Sequence, residues 1–175
     1  LEAVVQVARR HEGIIPLPLI SNRKTINPRD KSSRKVIQVE TAMGAAIEVF
    51  EGGRALQVPR SRFAPVKSNN DLLVVRSDVY ALNDDFTMTV NPRRTLPGLP
   101  LVSLDPTFYS LIREFEYRIR VVPSLVDAES LTVQGDVTIA HPVKILGNVT
   151  IKAPEDCGAV LRDSVTILNS EEICL

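Results

Sequence analysis

The feature that most limits how this chain can fold is a six-residue repeat of aliphatic pairs near its C-terminus. Leu131, Val137, Val143 and Val149 recur every six residues, and Val133, Ile139, Ile145 and Ile151 do the same two places later. Side chains at i and i+2 share one face of an extended strand, so each pair marks a short strand with that face turned inward. Such pairs at a period of six are the mark of a left-handed parallel β-helix, each coil being three hexads. Gly135 and Gly147 stand two places after alternate pairs. One regular coil and parts of others fit between Leu131 and Leu175, with Val165 and Ile167 forming a last strand whose edge is free. A solenoid that short cannot cap itself. It is expected to lean on a helix at 105–120 or on another subunit, which makes the chain a homo-oligomer assembled through residues after about 124.

The 175 residues suffice for one domain or one and a half, and 44% hydrophobic content with mean hydropathy of +0.05 describes a soluble globular chain. No apolar run approaches the roughly 18–20 residues of a membrane span. The start shows no charged segment leading into an apolar one, so no secretory signal is expected and the cytoplasm is the expected location. Cys157 and Cys174 have no metal-ligand spacing and are expected to be reduced thiols. Net charge is zero but uneven: residues 1–70 carry 12 Lys and Arg against 6 Asp and Glu, whereas residues 128–175 carry 3 against 7. A basic first part suits a phosphate-bearing small molecule or nucleic acid. Nucleic acid is set aside because no aromatic interleaves the Arg23–Lys35 run, which reads as a solvated loop.

Along the chain, Leu1, Val4, Val5 and Ala8 have helical spacing, and Gly13 supplies a stop. Residues 14–20 are apolar, but Pro16 and Pro18 restrict them to an edge strand or an irregular segment, and 21–35 read as loop. Val36–Gln38 is a short extended entry. Val39, Ala42, Met43, Ala46, Ile47 and Phe50 then fall on one helical face ending at Gly52-Gly53, with Gly44 marking a close approach by another backbone or a ligand. One or two short strands are expected over 55–66, turns over 83–100, and an extended segment over 100–104. Asp105-Pro106 is an N-cap followed by proline at the first helical position. Phe108, Leu111, Ile112, Phe115 and Ile119 line one face of the helix that follows, Arg118 points away, and Pro123 closes it.

The chemistry centres on Pro59-Arg60-Ser61-Arg62-Phe63-Ala64-Pro65-Val66-Lys67, with Ser68-Asn69-Asn70-Asp71-Leu72-Leu73 directly after. The prolines hold the chain extended, and Lys67 falls between that segment and a helix start, where unpaired N–H groups favour an anion. A surface lysine after a buried strand is the other reading, and spacing alone leaves both open. Arg60 and Arg62 add positive field, although a surface ion pair explains either. His141 lies within the repeat, but a solenoid of so few coils cannot form the trimer sites of hexapeptide-repeat acyltransferases, so it reads as structural or solvent-facing. No Ser-His-Asp, Cys-His or zinc spacing occurs.

The run from Pro59 to Lys67, with Asp71-Leu72-Leu73, resembles a signature of eukaryotic-type UTP–glucose-1-phosphate uridylyltransferases. Gln38-Val39-Glu40-Thr41-Ala42-Met43-Gly44-Ala45-Ala46-Ile47 is similar to a second stretch of that family, and Leu131-Thr132-Val133-Gln134-Gly135-Asp136-Val137-Thr138 looks like its C-terminal β-helix. The resemblance implies an α/β chain: residues 1–122 as the C-terminal part of a mixed-sheet, Rossmann-like nucleotidyltransferase domain, and 123–175 as the β-helix. It also implies a helix over residues 71–82, where pattern alone leaves helix and strand open. The family's Gly-rich nucleotide loop and metal-binding aspartate motif lie further toward the N-terminus and are missing here. The chain is therefore expected to be the C-terminal part of a longer enzyme and to need that region as a partner.

The implied reaction makes UDP-glucose and pyrophosphate from UTP and glucose 1-phosphate with Mg²⁺, whose ligands are expected mainly outside this chain. Lys67 is the residue implied to contact the phosphates. Phe63 is a candidate for lining the sugar or phosphate pocket, with a place in the core as its alternative. The competing readings are a non-catalytic assembly module and a uridylyltransferase for another sugar 1-phosphate.

Overall fold

The computed structural model describes residues 1–30, 32–59, 63–154, 157–161 and 166–175. It comprises two compact units, Leu1–Val58 and Pro59–Leu175, so the boundary expected at 122/123 falls inside the second.

The first unit is helix α1 (Glu2–Arg10), the antiparallel strands β1 (Leu19–Thr25) and β2 (Lys35–Thr41), a 3₁₀ turn over Met43–Ala45 and the short helix α2 (Ala46–Val49). Glu2 in the first turn of α1 and Arg9 and Arg10 in the last oppose the helix dipole with the favourable signs. The helix expected over 39–50 is a correction. Val39, Glu40 and Thr41 finish β2, paired with Ser21, Ile20 and Leu19, and only the final four residues before Phe50 are α-helical. The alternating, β-branched run Val36-Ile37-Gln38-Val39-Glu40-Thr41 meets a neighbouring strand, and cross-strand pairing outweighs a helical apolar face. By the same pairing, residues 21–25 are strand rather than loop, and between the two strands Ser33 Oγ donates to the carbonyl of Asp30 at 2.7 Å. A Cβ added to Gly44 would meet nothing within 4 Å, so the close approach expected there is absent among the described residues. No described residue of this unit is buried.

The second unit opens on helix α3 (Asn69–Arg76), followed by the hairpin β3 (Tyr80–Leu82) and β4 (Met88–Val90). No strand forms among the described residues of 55–66. Helix α3 stops six residues short of the expected end at Leu82. Ser77 Oγ donates to the Val74 carbonyl at 2.8 Å, competing with the next helical turn. The chain then leaves toward Val79, which is fully buried. The helix expected from Pro106 to Ile119 is also broken, into α4 (Pro106–Tyr109) and α5 (Ile112–Arg118), with Leu111 extended between them. Asp105 Oδ1 caps the first piece by accepting from the Thr107 amide at 2.9 Å.

Strand β5 (Leu101–Leu104) begins the stack that the repeat demands, and β6 (Ala128–Gln134), β7 (Val137–Ile139), β8 (Val143–Lys152), β9 (Ala159–Leu161), β10 (Thr166–Asn169) and β11 (Glu172–Cys174) complete it. Every pairing among them is parallel. Leu131 faces Val149 and Val133 faces Ile151, a displacement of 18 residues, or three hexads. Val102 and Leu104 of β5 extend the same two columns on one side, and Ile173 continues the second beyond Ile151. Ile139 aligns with Leu161 and bridges to Ile119. The first half of β8 pairs with β10, and its second half lies between β6 and β11. All eight residues of the repeat are at most 2% exposed. Gly135 and Gly147 take φ of +82° and +60°, the left-handed region that side chains resist; Gly135 follows β6, and Gly147 lies where β8 changes partner from β10 to β6.

Candidate phosphate-facing site

Lys67 directly precedes the N-cap of α3, and the way that helix begins decides what the lysine can do. Ser68 is the N-cap, with extended backbone (φ −139°, ψ 170°). From the third helical position the Asp71 carboxylate reaches back, and its Oδ2 accepts from the amides of Lys67 and Ser68 and from the Ser68 hydroxyl, each at 3.0 Å. These bonds, the Lys67 amide foremost, hold the Asp71 carboxyl below its ordinary value of 3.8, so it is ionised at neutral pH. Asp71 thus caps the helix from inside its first turn, as the third-position member of a capping box with Ser68.

The same turn is tied down on its other side. Asn69 Nδ2 donates to the Tyr109 carbonyl at 2.6 Å, and Asn70 Oδ1 accepts from the Leu104 amide at 3.1 Å. Leu73 and Val74, 0% and 7% exposed, sink the helix into the core. The Lys67 main chain is thus held by a carboxylate while its side chain is exposed and, among the described residues, forms no salt bridge. An exposed cation on a fixed base can follow charge on a bound phosphate. Phe63 is 53% exposed, so it is not a core aromatic. Arg60 and Arg62 lie outside the described residues.

Two polar clamps, one half-buried and one buried, escaped sequence reading. Asp78 Oδ1 accepts from the amides of Leu125 and Val126 at 2.8 and 3.0 Å, and its Oδ2 accepts from Ser124 Oγ at 2.6 Å. Arg94, 8% exposed, donates to the carbonyls of Gly98, Val126 and Ala128 at 2.7, 2.9 and 2.9 Å. The anion thus holds the amides of the segment before β6, and the cation its carbonyls. Arg118 was expected to point outward. Instead it is 8% exposed and pairs with Asp136 and Glu114, each at 2.7 Å, over the ring of Phe108. Burial alone lowers its pKa, but the two carboxylates win and raise it. Nothing in the sequence marked these arginines, because a buried ion has the same letter as a surface one.

A cavity of about 700 Å³ opens elsewhere in this unit, beside Asp105, Gln134, Asp136 and Lys152; neither Lys67 nor Phe63 lines it. Among the described residues no three His, Cys, Asp or Glu side chains cluster to hold a metal ion.

Comparison with known proteins decides the family. Residues 1–146 match the family model described as UTP--glucose-1-phosphate uridylyltransferase. The chain belongs to that family. It is 41% identical over 145 residues to the UTP--glucose-1-phosphate uridylyltransferase of Hordeum vulgare and 40% identical over 145 residues to that of Solanum tuberosum. Each alignment covers 83% of this chain and 30% of the uridylyltransferase, so the chain spans about a third of the length of its relatives. Among solved structures, the UDP-glucose phosphorylase of Trypanosoma brucei superposes with a TM-score of 0.89 at 37% identity, over 99% of this chain and 38% of that one. A UDP-glucose pyrophosphorylase S374W mutant of Leishmania major, solved with UDP-glucose, superposes with a TM-score of 0.82 at 40% identity, over 98% of this chain and 36% of that one. The mixed α/β architecture with its parallel sheet is that of these uridylyltransferases. No helix among the described residues is long and apolar enough to cross a membrane.

Proposed function

We propose that this chain is the C-terminal part of an enzyme that makes UDP-glucose from UTP and glucose 1-phosphate, and that Lys67 is its phosphate-contacting cation. A phosphate oxygen of glucose 1-phosphate attacks the α-phosphorus of UTP. The bond from that phosphorus to the bridging oxygen of the β-phosphate breaks, and pyrophosphate leaves with the electron pair. The attacking oxygen is already ionised at neutral pH, so no general base is required. What catalysis must supply is alignment of two anions and an offset for charge growing on the α-phosphoryl oxygens and the leaving group. The Lys67 ammonium supplies part of that offset, and Phe63 lines the sugar or phosphate pocket. Mg²⁺ belongs to the reaction, held by groups outside this chain. The nucleotide-binding region N-terminal of Leu1 in the relatives completes the site.

We read 123–175 as a short left-handed β-helix, which the parallel registers and the buried repeat support, and 1–122 as the end of the catalytic domain. On that reading the open edges after about residue 124 join copies of the enzyme in a homo-oligomer, and the enzyme is cytoplasmic.

The observation that carries this reading is an exposed lysine on a helix start anchored by Asp71, Asn69 and Asn70, within a chain about 40% identical to named uridylyltransferases. Pyrophosphorolysis of UDP-glucose would be assayed for the 175-residue chain alone and with the N-terminal region restored. Activity confined to the restored enzyme is expected, with Lys67→Ala lowering kcat about 10²–10³-fold and KM little changed. Full turnover in Lys67→Ala refutes the role of the lysine. No turnover in either protein favours a non-catalytic assembly module, and turnover with a different sugar 1-phosphate moves only the substrate.

A further inference from the structure

Resting on that reading, we propose that Asp71 is a positioning residue for the uridylyl transfer, holding the main chain of Lys67 so that the ammonium arrives in register with the transferring phosphate. Oδ2 of Asp71 takes three donors at once, and one of them is the Lys67 amide itself, outside the helix. A cap that served only the helix would need the Ser68 amide and no more. The added bond to residue 67 extends the rigid body one residue upstream, to the residue that carries the charge. Asn69 and Asn70, bonded to the Tyr109 carbonyl and the Leu104 amide, keep that body from rotating. A lysine has four rotatable side-chain bonds. Fixing its Cα limits where the ammonium can reach, and a misplacement of about 1 Å at a reacting centre can cost about 10²-fold in rate.

The carboxylate has no direct part in the chemistry. It faces the amides behind it, and a second anion aimed at the phosphates would oppose their binding. Its negative charge has a local use at the positive end of the helix dipole. The three hydrogen bonds need an acceptor, not a charge. An amide oxygen at this position can therefore keep part of the geometry, which separates positioning from electrostatics.

The test is a double-mutant cycle in the enzyme with its N-terminal region restored. Asp71→Ala is expected to lower kcat about 10- to 100-fold with KM little changed, and Asp71→Asn to recover most of that loss. The Lys67→Ala Asp71→Ala double variant is expected to be no slower than Lys67→Ala alone, because Asp71 acts only through the lysine. Asp85→Ala is the control, a carboxylate that accepts from the Thr87 amide and hydroxyl in the β3–β4 turn, away from Lys67; it is expected to leave kcat unchanged. Amide hydrogen exchange on the 175-residue chain reports the bonds without any activity, and faster exchange at Lys67 and Ser68 is expected in Asp71→Ala. If Lys67→Ala is slow but Asp71→Ala is not, or if the Asp71→Ala loss persists in full without the lysine, the positioning role is overturned and the lysine keeps its own. If Lys67→Ala turns over normally, both fall.

Discussion

Arg94 offers the sharpest test of what holds the second unit together. Its guanidinium is 8% exposed and makes three hydrogen bonds of 2.9 Å or less to main-chain carbonyls, with a fourth to Leu125 at 3.4 Å. Burial lowers its pKa, yet a guanidinium stays charged throughout the accessible pH range. Hydrogen bonds to a charged group are worth about 1.5–3 kcal/mol each, and carbonyls left without donors cost about 1–3 kcal/mol each unless water enters. Simple addition overshoots, because truncation opens space for solvent. About 3–5 kcal/mol, the usual result of breaking a buried charged network, is the expected loss for Arg94→Ala. That is about a third to a half of a mid-range domain stability of about 10 kcal/mol. For a unit of this size the melting temperature should fall by roughly 10–20 °C, read by calorimetry or circular dichroism on the 175-residue chain. Arg94→Lys should recover little, since one ammonium cannot span carbonyls on both sides of the turn. A melting temperature for Arg94→Ala within about 2 °C of the parent would show that these carbonyls find other donors, and that the segment before β6 is not held from this side.

Gly147→Ala should cost about 1–2 kcal/mol in chemical denaturation, because φ of +60° is unfavourable for alanine and the new Cβ would collide with the Ser170 hydroxyl; an unchanged midpoint would mean the corner rearranges freely. Tyr109, buried and donating to the Val137 carbonyl, has its pKa raised well above the ordinary 10.0, chiefly by burial. The protonated phenol is therefore the form that folding favours. Its stabilising contribution is complete below pH 10 and is lost as pH rises through the folded value. In an alkaline absorbance titration one of the three tyrosines should ionise only as the chain unfolds, and three phenolates forming together near pH 10 would contradict its burial.

The repeat was legible because a period of six admits few structures, and each of its eight residues is buried as the pattern requires. Asp105-Pro106 was legible for the same kind of reason, being a local cap with a local partner in the Thr107 amide. The misreadings share a cause in distant pairing. Val39 looked helical from its neighbours at i+3 and i+4, but its actual partner is Ser21, eighteen residues away. The helix that the resemblance implied to Leu82 ends at Arg76, and nothing near Asp78 announces that its carboxylate accepts from Ser124, Leu125 and Val126. Lys67 was singled out by its motif and by the helix start after it. The anchoring of that start by Asn69 and Asn70 depends on residues more than thirty positions on, which no local pattern encodes.

The lysine and the repeat are joined by β5. Leu104 contributes its amide to Asn70, at the helix start that carries Lys67, and its side chain to the buried column it forms with Val133 and Ile151. One residue therefore ends the parallel stack and braces the helix. Tyr109 repeats the arrangement one element later: its carbonyl receives Asn69, and its hydroxyl reaches the carbonyl of Val137, a residue of the repeat. Interiors packed to crystal-like density transmit displacement rather than absorb it. A stack this regular gives the charged residue a rigid footing through Leu104 and Tyr109. The aliphatic repeat is far from Lys67 in sequence, yet through Leu104 and Tyr109 it braces the helix start that carries the lysine.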